Sequence, residues 1–332
     1  MTETVRERIN SYLEDAIAAE RNFETSLHAF GHTGNQTNVR ALLDAAGSKA
    51  RTQHERLTAL LESRGGKPSE ARTALAKLLA VTPLSAQAGH QPEEKNTQHL
   101  IVTFGAAGAE RAMYEALAEA ADEAGEQEVV ALARQLQAEE ENDAKQVWPL
   151  LERSAVDAFR AGVAAGGQPM SIIGRYMQDA IAAEKSFESQ LTVFAKEGNY
   201  EQAQTVFAEH SAETRRQRER LTHRLEQLGG STSAVKGLLA QFFAFAPKAA
   251  QVGSDDRERV TQNLIMGFAV ECSETAMYEV FAAVARVAED SQTEQLVRHI
   301  QREERAAGEK VWKLIGPAAR RSILALKQSK AA

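Results

Sequence analysis

A charged residue occupies the same slot of an apolar helical stripe twice in this chain. Tyr12 to Leu27 reads YLEDAIAAERNFETSL and Tyr176 to Leu191 reads YMQDAIAAEKSFESQL, with ten of sixteen positions identical. In the first copy the apolar residues fall at Ile9, Leu13, Ala16, Phe23 and Leu27. That four-and-three spacing marks the buried face of a helix in a bundle. Glu20 fills the one open slot, and Glu184 does the same among Ile173, Met177, Ala180, Phe187 and Leu191. A carboxylate on such a stripe is costly unless it is paired, protonated or bound to a metal. Which of the three holds decides what the chain does.

The self-match runs on without a gap at an offset of 164 residues. Gly65-Gly66 maps to Gly229-Gly230, Pro83 to Pro247, Ala112-Met113-Tyr114-Glu115 to Ala276-Met277-Tyr278-Glu279, Glu139-Glu140 to Glu303-Glu304, and Val147-Trp148 to Val311-Trp312. A repeat of this length is a whole domain rather than a solenoid unit. The seam, Ala164 to Pro169, reads as a linker ended by glycines and a proline, so the expected domains are 1–165 and 170–332. Each unit shows four long helical patterns and a shorter last one. In the first unit they run near Thr4–Phe30, Asn38–Arg64, Pro92–Ala124, Gln127–Leu151 and Ser154–Ala164, with a small amphipathic helix, Ser69–Val81, in the crossover. Short, long and short connections predict an all-α fold: two tandem four-helix bundles of ferritin-like connectivity, each with a long crossover and an extra C-terminal helix. Duplication further predicts that the halves pack on each other as a pseudo-dimer.

Composition removes several function classes. With 43% hydrophobic and 26% charged residues over 332 positions, the chain reads as a soluble, helix-rich protein of two domains. A net charge of −7 argues against a nucleic-acid surface. Cys272 is the sole cysteine, which leaves no intrachain disulfide and no thiolate cluster. The charged start MTETVRERIN lacks a signal-peptide core, and no run approaches the roughly 18 apolar residues of a membrane span. A cytoplasmic location is the expectation.

More acids point inward. The third helix of the first unit carries Leu100, Thr103, Ala107, Glu110, Tyr114, Leu117 and Ala121 on one stripe. Its counterpart carries Leu264, Gly267, Glu271, Glu274, Tyr278, Phe281 and Ala285. The fourth helices offer Val129, Ala133, Leu136, Glu140, Asp143, Val147 and Leu150, and Val297, Ile300, Glu304, Ala307, Val311 and Leu314. A stripe rotated by one residue would promote Glu139 and Glu303 instead. Carboxylates crowded in low dielectric cannot all ionise without a cation, and iron or manganese held by carboxylate suits a bundle interior. The expected ligands are Glu20, Glu110, Glu140 and Asp143 in the first unit, and Glu184, Glu271, Glu274 and Glu304 in the second. The second helices lack the Glu-x-x-His of a complete di-metal site. They place Gln53 and His54, or Gln217 and Arg218, near the inward face, and carry Arg51 and Arg215, which could neutralise the acids without a metal. His28, His32, His90, His99, His210, His223 and His299 do not repeat between units and are expected at the surface. Phe242, Phe243 and Phe245 in the second crossover are expected to cap the bundle end or the contact between units, or to form an exposed patch for a partner or an apolar ligand.

In AEHSAETRRQRERL (Ala208 to Leu221), AVECSETAMYEVF (Ala269 to Phe281) and REERAAGEKVWKL (Arg302 to Leu314) the chain resembles the ferritin-like bacterial stress proteins of the YciF type. The resemblance covers each unit nearly end to end. Glu184, Glu271, Glu274, Tyr278, Glu303 and Glu304 match that family's acids and tyrosine, while Cys272 stands for its histidine on helix three. On helix two Ala212 and Arg215 stand for its glutamate and histidine, as do Ser48 and Arg51 in the first unit, where Ala107 also replaces the first helix-three glutamate. Asp143 partly restores the helix-four acid of that unit. The resemblance implies iron or manganese chemistry and a role in stress, with a reduced metal site. The expectation is therefore a metal-binding protein rather than an enzyme. The alternatives are a metal-free structural or interaction protein with Glu–Arg pairs, and a di-iron oxidase or peroxide-consuming enzyme.

Overall fold

The structure is a computed structural model that describes residues 3–33, 36–68, 92–231 and 256–331. Eight helices carry these residues: α1 (Val5–Thr33), α2 (Thr37–Ser63), α3 (Pro92–Ala124), α4 (Gln127–Ala164), α5 (Pro169–Phe194), α6 (Glu201–Gln227), α7 (Asp256–Val287) and α8 (Ser291–Ala331). No strand occurs among the described residues. In the first half α1 lies against α2 and α3, and α4 lies against α3 and α2. The second half repeats this pairing between α5, α6, α7 and α8. The crossover expectations, the helix at Ser69–Val81 and the Phe242, Phe243 and Phe245 patch, lie outside the described residues.

Local chemistry sets the boundaries. Gly125 at φ 82 turns the chain between α3 and α4, a left-handed conformation that glycine takes without steric cost. Gly166 at φ 92 ends α4, and Pro169 opens α5, where its fixed φ suits a first helical turn. The residues expected to form a separate last helix, Ser154 to Ala164, continue α4 without a break, and α8 likewise runs through Pro317. Pro149 and Pro317 are exposed, so the bond each withholds is lost on the solvent side. Beyond Pro149 the buried stripe goes on through Leu151, Ser154, Ala155, Ala158 and Phe159, which holds the helix together. The stripe has moved from Leu150 to Leu151 and, in the second half, from Leu314 to Ile315. No described helix is long and apolar enough to cross a membrane.

The halves pack mainly through α3 and α7, each also touching the partner half's fourth helix. Ser11 donates to Glu258 at 3.2 Å, while Arg175 donates to Glu94 at 3.0 Å. These are the same two positions exchanged between halves, since 175 and 258 lie 164 beyond 11 and 94. Such reciprocity is the mark of a twofold relation. The helices approach closely where α3 has glycine. A Cβ on Gly108 would stand 2.6 Å from Cys272 Sγ, and one on Gly105 would overlap the Ser273 side chain. Gly105→Val should therefore lower unfolding free energy by about 1–3 kcal/mol through overpacking. Gly174→Ala, which meets only Leu225 at 4.0 Å, should be neutral or stabilising by about 0.5–1 kcal/mol. Denaturant titration of the two variants checks the contrast.

Candidate metal centre

In the first half α1, α3 and α4 bring Glu20, Glu110 and Glu140 together, all buried, with one oxygen of each within 4.8 Å of the others. The Tyr114 hydroxyl donates to Glu20 Oε1. Gln53 of α2 donates to Glu140 at 2.7 Å and to Glu139 at 3.2 Å. Both oxygens of Glu110, and Oε2 of Glu20, are buried without a hydrogen-bond partner. Burial, then the charge of Glu140, pushes the proton affinity of Glu20 well up, and burial, then Glu20 and Glu140, does the same for Glu110. Burial also raises Glu140, although Lys49 opposes it. Lys49 reaches in from α2, 3.5 Å from Glu140 and 2.8 Å from Asp143. Burial alone would depress the Lys49 ammonium, but Glu140 and Asp143 more than offset it and hold it protonated. Asp143 itself sits half-buried at the rim, bound to Lys49. Glu139 and its counterpart Glu303 also lie at the edge, paired with Arg56 and Arg220.

The second half keeps this trio's counterparts and adds to them. Glu184 accepts from Tyr278, Glu304 accepts from Gln217, and Glu274 is fully buried with both oxygens unpartnered. Burial, then the charges of Glu184, Glu304 and Glu271, push the proton affinity of Glu274 well up. His210 from α6 and Glu271 from α7 join Glu304 in a cluster whose ligand atoms lie within 4.8 Å of one another. His210 Nδ1 lies 2.8 Å from Glu271, and Nε2 lies 3.4 Å from Glu304. Neither contact has hydrogen-bond alignment, and both ring nitrogens are otherwise unpartnered. Burial pushes Glu271 up to about 8 against the pull of His210. Burial would lower His210, but Glu271 and Glu304 override it and raise its affinity for a proton.

Each half therefore gathers one group of three close ligand atoms, His210 with Glu271 and Glu304 in the second half and Glu20 with Glu110 and Glu140 in the first, and the second half adds the buried Glu184 and Glu274 near its group. In the first half the counterparts of His210 and Glu271 are Ala46 and Ala107, and a cavity of about 210 Å³ lined by both, by Lys49 and by Glu140 occupies that place. The donors suit hard or borderline divalent ions: carboxylate oxygens, one imidazole and no thiolate. Unpartnered oxygens in a dry interior fit a cation better than a closed hydrogen-bond network.

Several expectations need correction. Arg51 and Arg215 do not reach the buried acids. They are exposed and pair with Glu24 and Glu188 at 2.7 Å, because their positions on the second helices face outward. His210 and His99 are not surface residues. His99 is buried against Phe30 with ring centroids 4.1 Å apart, and burial lowers it to about 4. His28 is half-exposed and His32, His223 and His299 are exposed, whereas His90 lies outside the described residues. His210 could have been found from its stripe, since Ala203, Phe207, His210, Thr214, Gln217 and Leu221 step by four and three. Lys49 gave no such signal, as it reaches inward from a neighbouring face.

No curated protein matches the sequence. A crystal structure of a protein from Xanthomonas campestris pv. campestris aligns with 50% of this chain over 100% of its own length, at 23% identity and a TM-score of 0.40. The family described as "Domain of unknown function (DUF892)" matches twice, over residues 4–159 and 174–323. The chain belongs to that family, as two copies in tandem.

Proposed function

We propose that this chain is a ferritin-like, stress-type metal-binding protein, a fused dimer whose halves have diverged. The second half holds divalent iron or manganese through Glu184, Glu271, Glu274, Glu304 and His210. The first half keeps Glu20, Glu110 and Glu140 but supplies its own cation, Lys49, with Asp143 as that lysine's partner. Bound metal would neutralise the acids and offer Lewis-acid or redox chemistry, while the chain's residues fix the oxygens that hold it. The observation that carries this reading is Glu274, buried with neither oxygen hydrogen-bonded, beside the unaligned His210, Glu271 and Glu304 contacts. The metal-free alternative loses its arginines, since Arg51 and Arg215 pair elsewhere.

Elemental analysis after loading with Fe²⁺ or Mn²⁺ tests the proposal. Bound ion should be lost most completely in Glu304→Gln, which removes the carboxylate that meets His210 and acts on Glu184 and Glu274, and only partly in His210→Ala. Lys49→Met should raise metal content by opening the first centre. Protein free of metal after both ions have been supplied would remove the reading.

The metal-free protein should also lose stability as pH rises. Glu271 is raised from 4.5 to about 8, and Glu20, Glu110, Glu184 and Glu274 are raised too, so the folded chain binds more protons than the unfolded one across that window. Stability then falls with increasing pH, and the raised His210 acts in the same direction. Melting temperature measured from acidic to alkaline pH should drop steeply in chelator. Saturating Mn²⁺ should flatten the curve, because the cation replaces the protons.

A further inference from the structure

A cavity of about 520 Å³ opens between the halves, and neither half alone would form it. Its walls are duplicated aromatic pairs, Phe104 with Trp148 at 5.1 Å and their counterparts Phe268 with Trp312 at 4.9 Å. Its charges are not duplicated. Arg111 of α3 lies over Trp312 at 5.2 Å, and Arg305 of α8 lies over Trp148 at 5.0 Å. The counterparts of these arginines are Thr275 and Glu141. Neither guanidinium has an ion-pair partner among the described residues, and the buried Nε of Arg111 has no acceptor. Glu141 and Glu279 act on them only at longer range. Two forked cations fixed on indole faces beside an apolar wall lack only an acceptor.

We propose that this cavity binds a small aromatic carboxylate, its charge on Arg111 and Arg305 and its ring among Phe104, Trp148, Phe268 and Trp312. The volume suits a small organic ligand. A single negative charge fits better than a phosphate, because Glu271 and Glu304 also line the cavity. His210 lies against both of these acids, and Gln217 donates to Glu304, so a monoanion does not face two bare charges.

The chain has two tryptophans, and both line this cavity, so intrinsic fluorescence reads it directly. Benzoate is titrated into the chelator-treated full chain, with benzyl alcohol as its uncharged counterpart and inorganic phosphate as the competing anion. Because the protein is metal-free, the outcome does not depend on the metal reading. A saturable change with benzoate is expected, about tenfold weaker for benzyl alcohol, which corresponds to one lost charge-assisted contact. Arg305→Gln, at an exposed position compatible with folding, should weaken benzoate about tenfold, and Arg111→Gln with Arg305→Gln should weaken it further. Absence of saturation, equal affinity for benzyl alcohol or phosphate, or unchanged binding in both arginine variants would overturn the proposal.

Discussion

A carboxylate removed from water must find a donor, a proton or a cation, and this requirement governs the interior of both bundles. Each half answers it first with a tyrosine: Tyr114 donates to Glu20 and Tyr278 to Glu184. A glutamine from the second helix then holds the fourth-helix acid, Gln53 on Glu140 and Gln217 on Glu304. These donors satisfy one oxygen of each acid they touch. What remains is Glu274, with neither oxygen partnered, and Glu110 and Glu271, whose oxygens face other acids or an unaligned imidazole.

The halves complete that answer in different ways. Removing the counterparts of His210 and Glu271 leaves alanines, a small cavity and a lysine beside Glu140 in the first half. In the second half a histidine and a further glutamate stand at those places, and they meet Glu304 within 4.8 Å. Duplication permits this, because one copy can keep a site while the other keeps the fold. The same divergence marks the contact between halves, where aromatic pairs repeat and arginines do not.

Much of the architecture was readable from residue order. Apolar steps of three and four, with glycines and prolines at the breaks, located the helices to within a few residues. The continuation of α4 past Pro149 was missed because a proline normally ends a helix, and only the buried run from Leu151 to Phe159 shows otherwise. Within the centres, carboxylates on apolar stripes were visible because a charge among hydrophobics is conspicuous. His210 was hidden by its lack of a repeat, although its stripe position was there to be read. Lys49 was hidden by its length. A flexible side chain can reach a core from a face that periodicity labels as outer.

The lysine carries one more implication. A metal ion exchanges with its surroundings and can be stripped by a chelator, whereas an ammonium tethered to α2 remains for the life of the polypeptide. Under the proposed reading, the first bundle would keep its charge balance when divalent metal is scarce and serve as a fixed platform on which its sibling fills and empties.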